Sequence, residues 1–246
     1  MVQQIQIQLI CLVVALNLGC SKAPAPLPPE PSLEYVVKVI GTTEQSQPLP
    51  MVIALHGLGD HPDSFLNLFN SLHGPARIIA VQGIAPWGKG FTWFPTMLTK
   101  EGTPENIHLD FENAAKELAI TLKHLMKKFP SPILPIVTGY SQGGAMSFLM
   151  ASQYPETISL ALPISGFLPE DWVPKTKPKK SPPIIAFHGT IDQRVSFEKT
   201  KVLISQLSEV GFSAKLRAYQ GVHHTISPKE RLDWLRELQK AIQRKE

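Results

Sequence analysis

The chain has 246 residues, of which 43% are hydrophobic and 18% are charged, so it has the size and apolar content of one large folded domain rather than a disordered chain. Its 24 basic and 20 acidic residues give a net charge of +4, too small an excess to argue for a nucleic-acid partner. With only two cysteines, a disulfide-rich scaffold is excluded.

Residues 1–19 have the features of an export signal. They carry no charged side chain, and the apolar run from Leu9 to Leu18 is too short to span a bilayer as a helix. The run ends in a glycine before Cys20, which resembles a bacterial lipoprotein cleavage site, although Asn17 and the missing basic residue near the start depart from that pattern. We expect a lipid anchor on Cys20; an ordinary cleaved signal and an incidental cysteine are the alternatives.

Residues 20–34 are rich in proline, and we expect them to form a stiff, extended tether. Five of the 23 prolines lie between positions 24 and 31. A tether of this kind suits a domain held away from a membrane. The localisation predicted from both segments is an exported, membrane-anchored lipoprotein on the periplasmic or cell-surface side, or else a secreted protein.

Residues 35–246 form the predicted catalytic domain, in which short β-rich runs alternate with amphipathic helices. Strands are predicted at Tyr35–Ile40, Met51–Leu55, Ile78–Val81, Ile133–Gly139, Ile158–Ile164, Ile184–Phe187 and Ala214–Tyr219. Helices are predicted at Pro62–Leu72, Glu105–Phe129, Gln142–Gln153, Ser196–Val210 and Pro228–Arg244. This alternation predicts a single α/β domain with a mostly parallel, doubly wound sheet flanked by helices.

A candidate nucleophile lies between the fourth predicted strand and the helix that follows it. Gly139, Ser141 and Gly143 form a Gly-x-Ser-x-Gly motif. In a strand–turn–helix setting this motif holds the serine in a tight, strained turn that exposes its hydroxyl. The placement therefore predicts Ser141 as the nucleophile of a serine hydrolase.

A serine hydroxyl is a weak nucleophile and needs a base that is oriented by an acid. In α/β hydrolases the chain order is serine, acid, histidine. Asp192 follows one predicted strand and His224 follows the last one, so both lie where open α/β sheets place their sites. The adjacent His223 competes with His224 for the role of base.

Fixed N–H donors must also meet the negative charge that develops on the tetrahedral intermediate. One donor is expected to be the backbone of Gln142, the residue after the nucleophile. The second is expected from the glycine-rich loop after the second strand, where Leu58 lies between Gly57 and Gly59.

These blocks resemble the phospholipase/carboxylesterase family of α/β hydrolases, which includes acyl-protein thioesterases and small bacterial carboxylesterases. The residues that carry the resemblance are Val52 to Asp60, Trp93-Phe94, Gly139 to Gly144, and His188-Gly189 with Asp192 and Val195. The resemblance covers most of residues 50–240 and implies the α/β-hydrolase fold, a triad of Ser141, Asp192 and His224, and oxyanion donors at Leu58 and Gln142. It also favours His224 over His223, because the Gly221-x-x-His224 spacing is similar to that of the family.

The chain departs from the family pattern at positions that bear on the choice of substrate. Pro95 follows Trp93-Phe94, and Gln193 follows Asp192, where relatives often carry aspartate and proline respectively. The loop 174–183, with four lysines and four prolines, is unlike the compact thioesterases and is interpreted as a surface loop or a short lid; its lysines are also candidates for contact with anionic lipid headgroups.

Other residues invite different interpretations. Trp93 and Tyr140 are candidate substrate contacts, and packing within the domain is the alternative for Trp93. His56, Asp60, His61 and Asp63 lie close enough in sequence to be considered as metal ligands, but they coincide with the oxyanion loop and a helix start, so no metal is predicted. His56 and His188 are expected to brace loops.

The sequence thus predicts a cofactor-independent serine hydrolase that cleaves small-molecule or lipid carboxylic esters through an acyl-enzyme intermediate. A thioesterase or lysophospholipase using the same triad is the nearest alternative. A hydrolase fold that has become a binding module, and a metal-dependent hydrolase built on the His56–Asp63 cluster, are alternatives of other classes.

Overall fold

The computed structural model describes residues 32–42, 44 and 46–244. The predicted signal segment, Cys20 and the tether up to residue 31 lie outside the described residues. The strands are β1 (Tyr35–Ile40), β2 (Met51–Leu55), β3 (Ala76–Val81), β4 (Ala85–Trp87), β5 (Gly90–Thr92), β6 (Ile136–Tyr140), β7 (Leu160–Ile164), β8 (Ile184–Gly189) and β9 (Ala214–Tyr219). The α-helices are α1 (Pro62–Leu66), α2 (Pro104–Lys128), α3 (Gln142–Gln153), α4 (Phe197–Glu209) and α5 (Pro228–Ile242).

Seven of these strands form one sheet in the order β1-β3-β2-β6-β7-β8-β9. Only β1 runs antiparallel, against β3, and the remaining pairs are parallel. The central strands β2, β3 and β7 are buried along their whole length, as their continuous apolar sequences predict for strands covered on both faces. The mostly parallel, helix-flanked sheet of the predicted α/β-hydrolase fold is thereby confirmed.

The two faces of the sheet carry separate hydrophobic clusters. Side chains of α2, α3 and α4 pack on one face, with Phe111, Phe148 and Leu203 among them. Side chains of α1 and α5 pack on the other, where Phe65 and Trp234 are buried. The loops at the carboxyl ends of the strands are therefore held from both sides of the sheet.

Helix starts follow their sequence signals closely. Thr103 caps α2 by accepting a hydrogen bond from the backbone of Asn106, and Pro104 occupies the first turn, where its missing N–H costs nothing. Ser227 and Glu230 form the predicted capping box of α5. These caps fix where the two longest helices enter the fold.

Several predicted boundaries were wrong. β6 begins at Ile136 rather than Ile133, because Pro135 has no N–H to donate to the strand ladder. α1 ends at Leu66 and is followed by a single 3₁₀ turn, Asn67–Phe69, instead of continuing to Leu72. The hairpin formed by β4 and β5 was not predicted, since each strand has three residues and gives too little alternation to detect.

The lysine- and proline-rich loop 174–183 lies between the short 3₁₀ helix Glu170–Trp172 and β8, and it has no helix or strand of its own. Its lysines are exposed. Among the residues that the structure describes, no helix is long and apolar enough to cross a membrane.

The indole of Trp234 joins α5 to the strand that precedes Ser141. Its Nε1–H donates to Thr138 Oγ1 at 2.8 Å, and both residues are fully buried. We expect Trp234→Phe, which removes this donor, to lower the free energy of unfolding by about 1–3 kcal/mol, measured by urea denaturation. Leu232→Ala on the exposed face of the same helix is the control, and equal shifts in both variants would contradict this account.

Candidate active site

Ser141 lies in a strained turn between β6 and α3. Its φ of 55° and ψ of −112° are an unusual backbone conformation for a residue with a side chain. Its N–H donates to the carbonyl of Ile164 on β7 at 2.9 Å, so the turn is tied to the sheet. This strained conformation places the serine hydroxyl at the carboxyl end of the strands.

The glycines on either side of Ser141 are required by close packing. A Cβ on Gly143 would lie 2.0 Å from the carbonyl oxygen of Leu55, and a Cβ on Gly139 would lie 2.4 Å from the carbonyl oxygen of Gly143. No side chain fits at these separations. The glycines of the Gly-x-Ser-x-Gly pattern are therefore needed because the start of α3 packs directly against the end of β2.

The structure brings Ser141, His224 and Asp192 together in one hydrogen-bonded chain. Ser141 Oγ lies 3.0 Å from His224 Nε2, and His224 Nδ1 lies 2.7 Å from Asp192 Oδ2. Because an ionised carboxylate can only accept, Nδ1 carries the proton and Nε2 is left to accept from the serine hydroxyl. This tautomer is the one that can take a proton from Ser141.

Asp192 is held by donors on both of its oxygens. Oδ1 accepts the backbone N–H groups of Arg194 at 2.9 Å and Val195 at 3.0 Å, while Oδ2 accepts from His224 and lies 3.3 Å from His188 Nε2. Burial by itself would raise the pKa of the Asp192 carboxyl, but the hydrogen bonds from His224, Val195 and Arg194 outweigh it and lower the pKa overall. The carboxyl is consequently ionised at neutral pH and fixed in orientation.

The loops that carry Asp192 and His224 are bonded to each other through the backbone. Ile191 N–H donates to Val222 O at 3.1 Å, and a Cβ on Gly189 would lie 2.2 Å from the same oxygen. His223 is exposed, whereas His224 faces Ser141. The geometry therefore places His224, and not its neighbour, in the position of the base.

Tyr140 supports the imidazole from the side of the nucleophile. Its hydroxyl donates to the carbonyl oxygen of His224 at 2.8 Å, and the two rings lie 5.0 Å apart between centroids. Burial raises the pKa of Tyr140 to about 12, so the phenol stays a donor at neutral pH. Tyr140 also lines the cleft above Ser141, as expected of a candidate substrate contact.

Leu58 lies in the turn that faces Ser141. The turn is closed by a hydrogen bond from Asp60 N–H to Gly57 O and joined to β5 by one from Gly59 N–H to Phe91 O. Within the described residues, the N–H of Leu58 donates to no backbone acceptor. Gln142 is the first residue of α3, where N–H groups have no partner inside the helix. Both amides are thus available at the positions predicted for an oxyanion hole.

The side chain of Gln142 has a second role that the sequence did not reveal. It is buried, and its Oε1 accepts hydrogen bonds from Thr92 Oγ1 and from Trp93 N–H, both at 3.0 Å. The helix start that carries the serine is in this way tied to the end of β5. An amide one residue after the nucleophile was the available signal, but only the fold could identify its partners.

His56 and His188 brace loops, as expected. His56 Nε2 accepts from Gly83 N–H at 3.0 Å, which leaves Nδ1–H to donate to Gly57 O at 2.7 Å. His188 Nε2 lies 3.0 Å from Val195 O. Burial is the largest influence on both rings and lowers the pKa of each, so both imidazoles are neutral at pH 7.

The catalytic cleft has a volume of about 330 Å³. It is lined by Gly57, Leu58, Asp60, Tyr140, Ser141, Arg194 and His224. Trp93 is not among these described lining residues: it is fully buried, and its indole N–H donates to His56 O at 3.0 Å. The expectation of a substrate contact at Trp93 is therefore replaced by a supporting role beneath the oxyanion loop. Likewise, none of residues 174–183 lines the cleft.

Asp60 and His61, two of the residues considered as metal ligands, have other partners. Asp60 Oδ1 accepts from His61 N–H at 2.8 Å and from the hydroxyl of Ser64, and the His61 ring contacts the carbonyl of Lys89. In the described part of the chain, no group of three or more His, Cys, Asp or Glu side chains is arranged to hold a metal ion.

Glu230, near Asp192, is a buried acidic residue that the sequence does not single out. Glu230 is fully buried, its Oε2 accepts from Ser227 N–H at 3.3 Å, and its Oε1 has no partner among the described residues. Burial is the main cause that raises the pKa of Glu230 to about 7, and the nearby negative charge of Asp192 adds to it. Its position in the capping box explains why the residue is a glutamate, but the sequence does not indicate that its carboxyl is buried near Asp192.

Comparison with known proteins gives the same assignment at the level of family. The model of the Phospholipase/Carboxylesterase family matches residues 38–242. Carboxylesterase SOBER1 of Arabidopsis thaliana is 31% identical over 149 residues, which are 56% of this chain and 63% of that protein. The match thus spans less than two thirds of its length. Acyl-protein thioesterase 1 of Gibberella zeae is 24% identical over 206 residues, 75% of this chain and 87% of that protein.

A solved structure supports the fold. The crystal structure of esterase PE8 superimposes with a TM-score of 0.71 at 23% identity, covering 83% of this chain and 99% of that one. At this identity the similarity establishes the α/β-hydrolase architecture and leaves the chemistry to be argued from the site.

The raised pKa of Glu230 has a consequence for stability. A carboxyl that titrates near 7 when folded and near 4.5 when unfolded keeps its proton longer in the folded state, so stability falls as pH rises from 4.5 to 7. Glu230→Gln removes this titration and keeps an oxygen for the Ser227 N–H. The difference in free energy of unfolding between Glu230→Gln and wild type should therefore be about 2–3 kcal/mol more favourable to the variant at pH 8 than at pH 4.5.

Urea denaturation of both proteins at the two pH values measures this difference. The exposed pair member Glu198 on α4 provides the control, because Glu198→Gln should leave the pH dependence close to that of wild type. If Glu230→Gln and wild type lose stability in parallel between pH 4.5 and 8, Glu230 is not the titrating group.

Proposed function

The chain belongs to the phospholipase/carboxylesterase family of α/β hydrolases, and from that premise we propose that it is a serine esterase that cleaves carboxylic esters through Ser141, His224 and Asp192. The observation that carries the proposal is the hydrogen-bonded chain from Ser141 Oγ through His224 to Asp192, with distances of 3.0 and 2.7 Å. Its position beside two available backbone amides gives the site every part that acyl transfer needs.

In the proposed reaction, Ser141 Oγ attacks the acyl carbon as His224 Nε2 takes its proton. The resulting oxyanion accepts hydrogen bonds from the N–H groups of Leu58 and Gln142. Asp192 holds the imidazole and stabilises its charged form. Collapse of the tetrahedral intermediate breaks the bond to the alcohol oxygen, which receives the proton from His224, and leaves an acyl-enzyme on Ser141.

Water then completes the cycle. His224 removes a proton from a water molecule that attacks the acyl carbon, and the second tetrahedral intermediate releases the acid and restores the serine hydroxyl. No cofactor takes part in these steps.

A thioester would follow the same path with a thiolate as leaving group, and the match with acyl-protein thioesterase 1 of Gibberella zeae makes this the second candidate reaction. A lysophospholipid would be cleaved at its ester in the same way.

A fluorophosphonate probe tests the nucleophile. We expect stoichiometric labelling on Ser141, mapped by mass spectrometry, and loss of both labelling and ester hydrolysis in Ser141→Ala. His224→Ala should lower kcat by about 10³-fold or more, whereas the exposed His223→Ala should retain most of the activity. Parallel oxygen-ester and thioester substrates with the same acyl groups distinguish the two candidate reactions.

Four results would contradict the proposal. Labelling confined to another residue would overturn the nucleophile, and a larger loss in His223→Ala than in His224→Ala would move the base. A folded protein that neither reacts with the probe nor cleaves any ester would favour a hydrolase fold used as a binding module. Hydrolysis that a chelator abolishes while the probe leaves Ser141 unlabelled would favour the metal-dependent alternative.

We also propose that the protein is exported and held at a membrane by a lipid on Cys20, with residues 20–34 as tether. The uncharged apolar segment, the glycine before the cysteine and the prolines that follow support this proposal together. We expect Cys20→Ala to move the protein from the membrane fraction to the soluble fraction of an expressing bacterium. Ser21→Ala controls for the substitution itself, and an unchanged distribution of Cys20→Ala would rule out the anchor.

A further inference from the structure

Arg194 lies in the wall of the catalytic cleft, two residues after the triad acid. It lines the same cleft as Ser141 and His224. Its backbone is fixed there, because its N–H donates to Asp192 Oδ1 at 2.9 Å, while its side chain is exposed to the solvent in the cleft. A cation is thereby held beside the reacting groups by the loop that orients the base.

The guanidinium of Arg194 has no acidic partner among the described residues. The other charged side chain in the cleft lining is Asp60. Its carboxylate accepts hydrogen bonds from His61 N–H and the Ser64 hydroxyl, so it is engaged within its own turn. Among the described residues, Arg194 is therefore a cation of the cleft that forms no ion pair, although the Asp60 carboxylate in the same lining keeps its negative charge.

The rest of the lining offers little apolar surface. Among the described residues that line it, Leu58 is the single aliphatic side chain, beside glycine, the Tyr140 ring and polar residues. Because Trp93 is buried, the aromatic substrate contact that the described lining retains is Tyr140. A substrate held only by apolar contacts would find few of them close to Ser141, whereas an anionic group would find the guanidinium of Arg194 in the same cleft.

We propose that Arg194 binds an anionic oxygen group, a carboxylate or a phosphate, on the substrate and so selects esters that carry negative charge near the bond that is cleaved. This inference rests on the proposed esterase function and names its substrate class. Guanidinium presents paired N–H donors that match the oxygens of carboxylate and phosphate. Because the contact forms in an open cleft, its strength should decrease as ionic strength rises.

The test compares matched substrates that differ in charge. For a carboxylate, the pair is the 4-nitrophenyl monoester of glutaric acid and 4-nitrophenyl pentanoate, corrected for spontaneous hydrolysis. For a phosphate, the pair is a monoacylglycerol phosphate and the monoacylglycerol with the same acyl chain. The measured quantity is the ratio of kcat/KM for the charged substrate to that for its neutral partner.

Wild type is expected to favour the charged member of at least one pair, and the pair identifies whether carboxylate or phosphate is recognised. Arg194→Met should lower that ratio about tenfold at low salt, chiefly through a higher KM, and Arg194→Lys should give an intermediate value. Arg236→Met is the matched control, because Arg236 is an exposed arginine on α5 outside the cleft and pairs with Asp233; its ratio should equal that of wild type.

A ratio that is the same in wild type and Arg194→Met for both pairs, with hydrolysis still dependent on Ser141, overturns the inference and leaves the esterase proposal intact. An equal fall in Arg194→Met and Arg236→Met also overturns it, since the effect would then come from overall charge. If folded wild type cleaves no member of either pair and is not labelled by the fluorophosphonate, the esterase proposal itself fails.

Discussion

The start of α3 is pressed against the end of β2 so closely that the backbone of Gly143 leaves no room for a side chain beside the carbonyl of Leu55. This contact forces the tight turn at Ser141 and its positive φ, which cost of order 1–3 kcal/mol in an isolated chain. Burial of the sheet on both faces by α1–α5 supplies the stability that keeps the turn in this conformation. The same approach brings the loop after β2 alongside the serine, so one steric constraint positions both the proposed nucleophile and the proposed oxyanion donors.

Asp192 organises the opposite side of the site. Three of its four contacts come from two different loops: two are backbone N–H groups of its own turn, and one is the imidazole of His224 after β9. His188, which closes the set at 3.3 Å, lies on β8. Because buried carboxylates are costly unless their lone pairs are satisfied, the ionised acid is itself a reason for these loops to take this arrangement. The orientation of the base is therefore a consequence of local hydrogen bonding, not of a long-range adjustment.

The sequence predicted the structure correctly where a residue type at a given position has a single physical explanation. Glycine at 139 and 143, the continuous apolar strands and the capping box of α5 each predicted a feature that the structure contains. It failed where the reason lies in a distant partner. The sequence around Trp93 is compatible both with a side chain that lines a cleft and with one that supports a loop. Its hydrogen bond to His56 O in the folded chain shows that it supports the loop. The pKa of Glu230 likewise depends on its burial at the start of α5 and on the nearby charge of Asp192, which no local sequence pattern indicates.

The loop between β8 and α4 carries two side chains with different tasks in the proposed site: Asp192 orients the base, and Arg194 contacts the substrate. Asp192 points inward, where it is buried and saturated with donors, and substitution there would disturb every neighbour at once. Arg194 is fixed at its backbone but faces the cleft, and the described residues give its guanidinium no carboxylate partner. A change at 194 can therefore alter what the cleft binds without moving the acid two residues earlier.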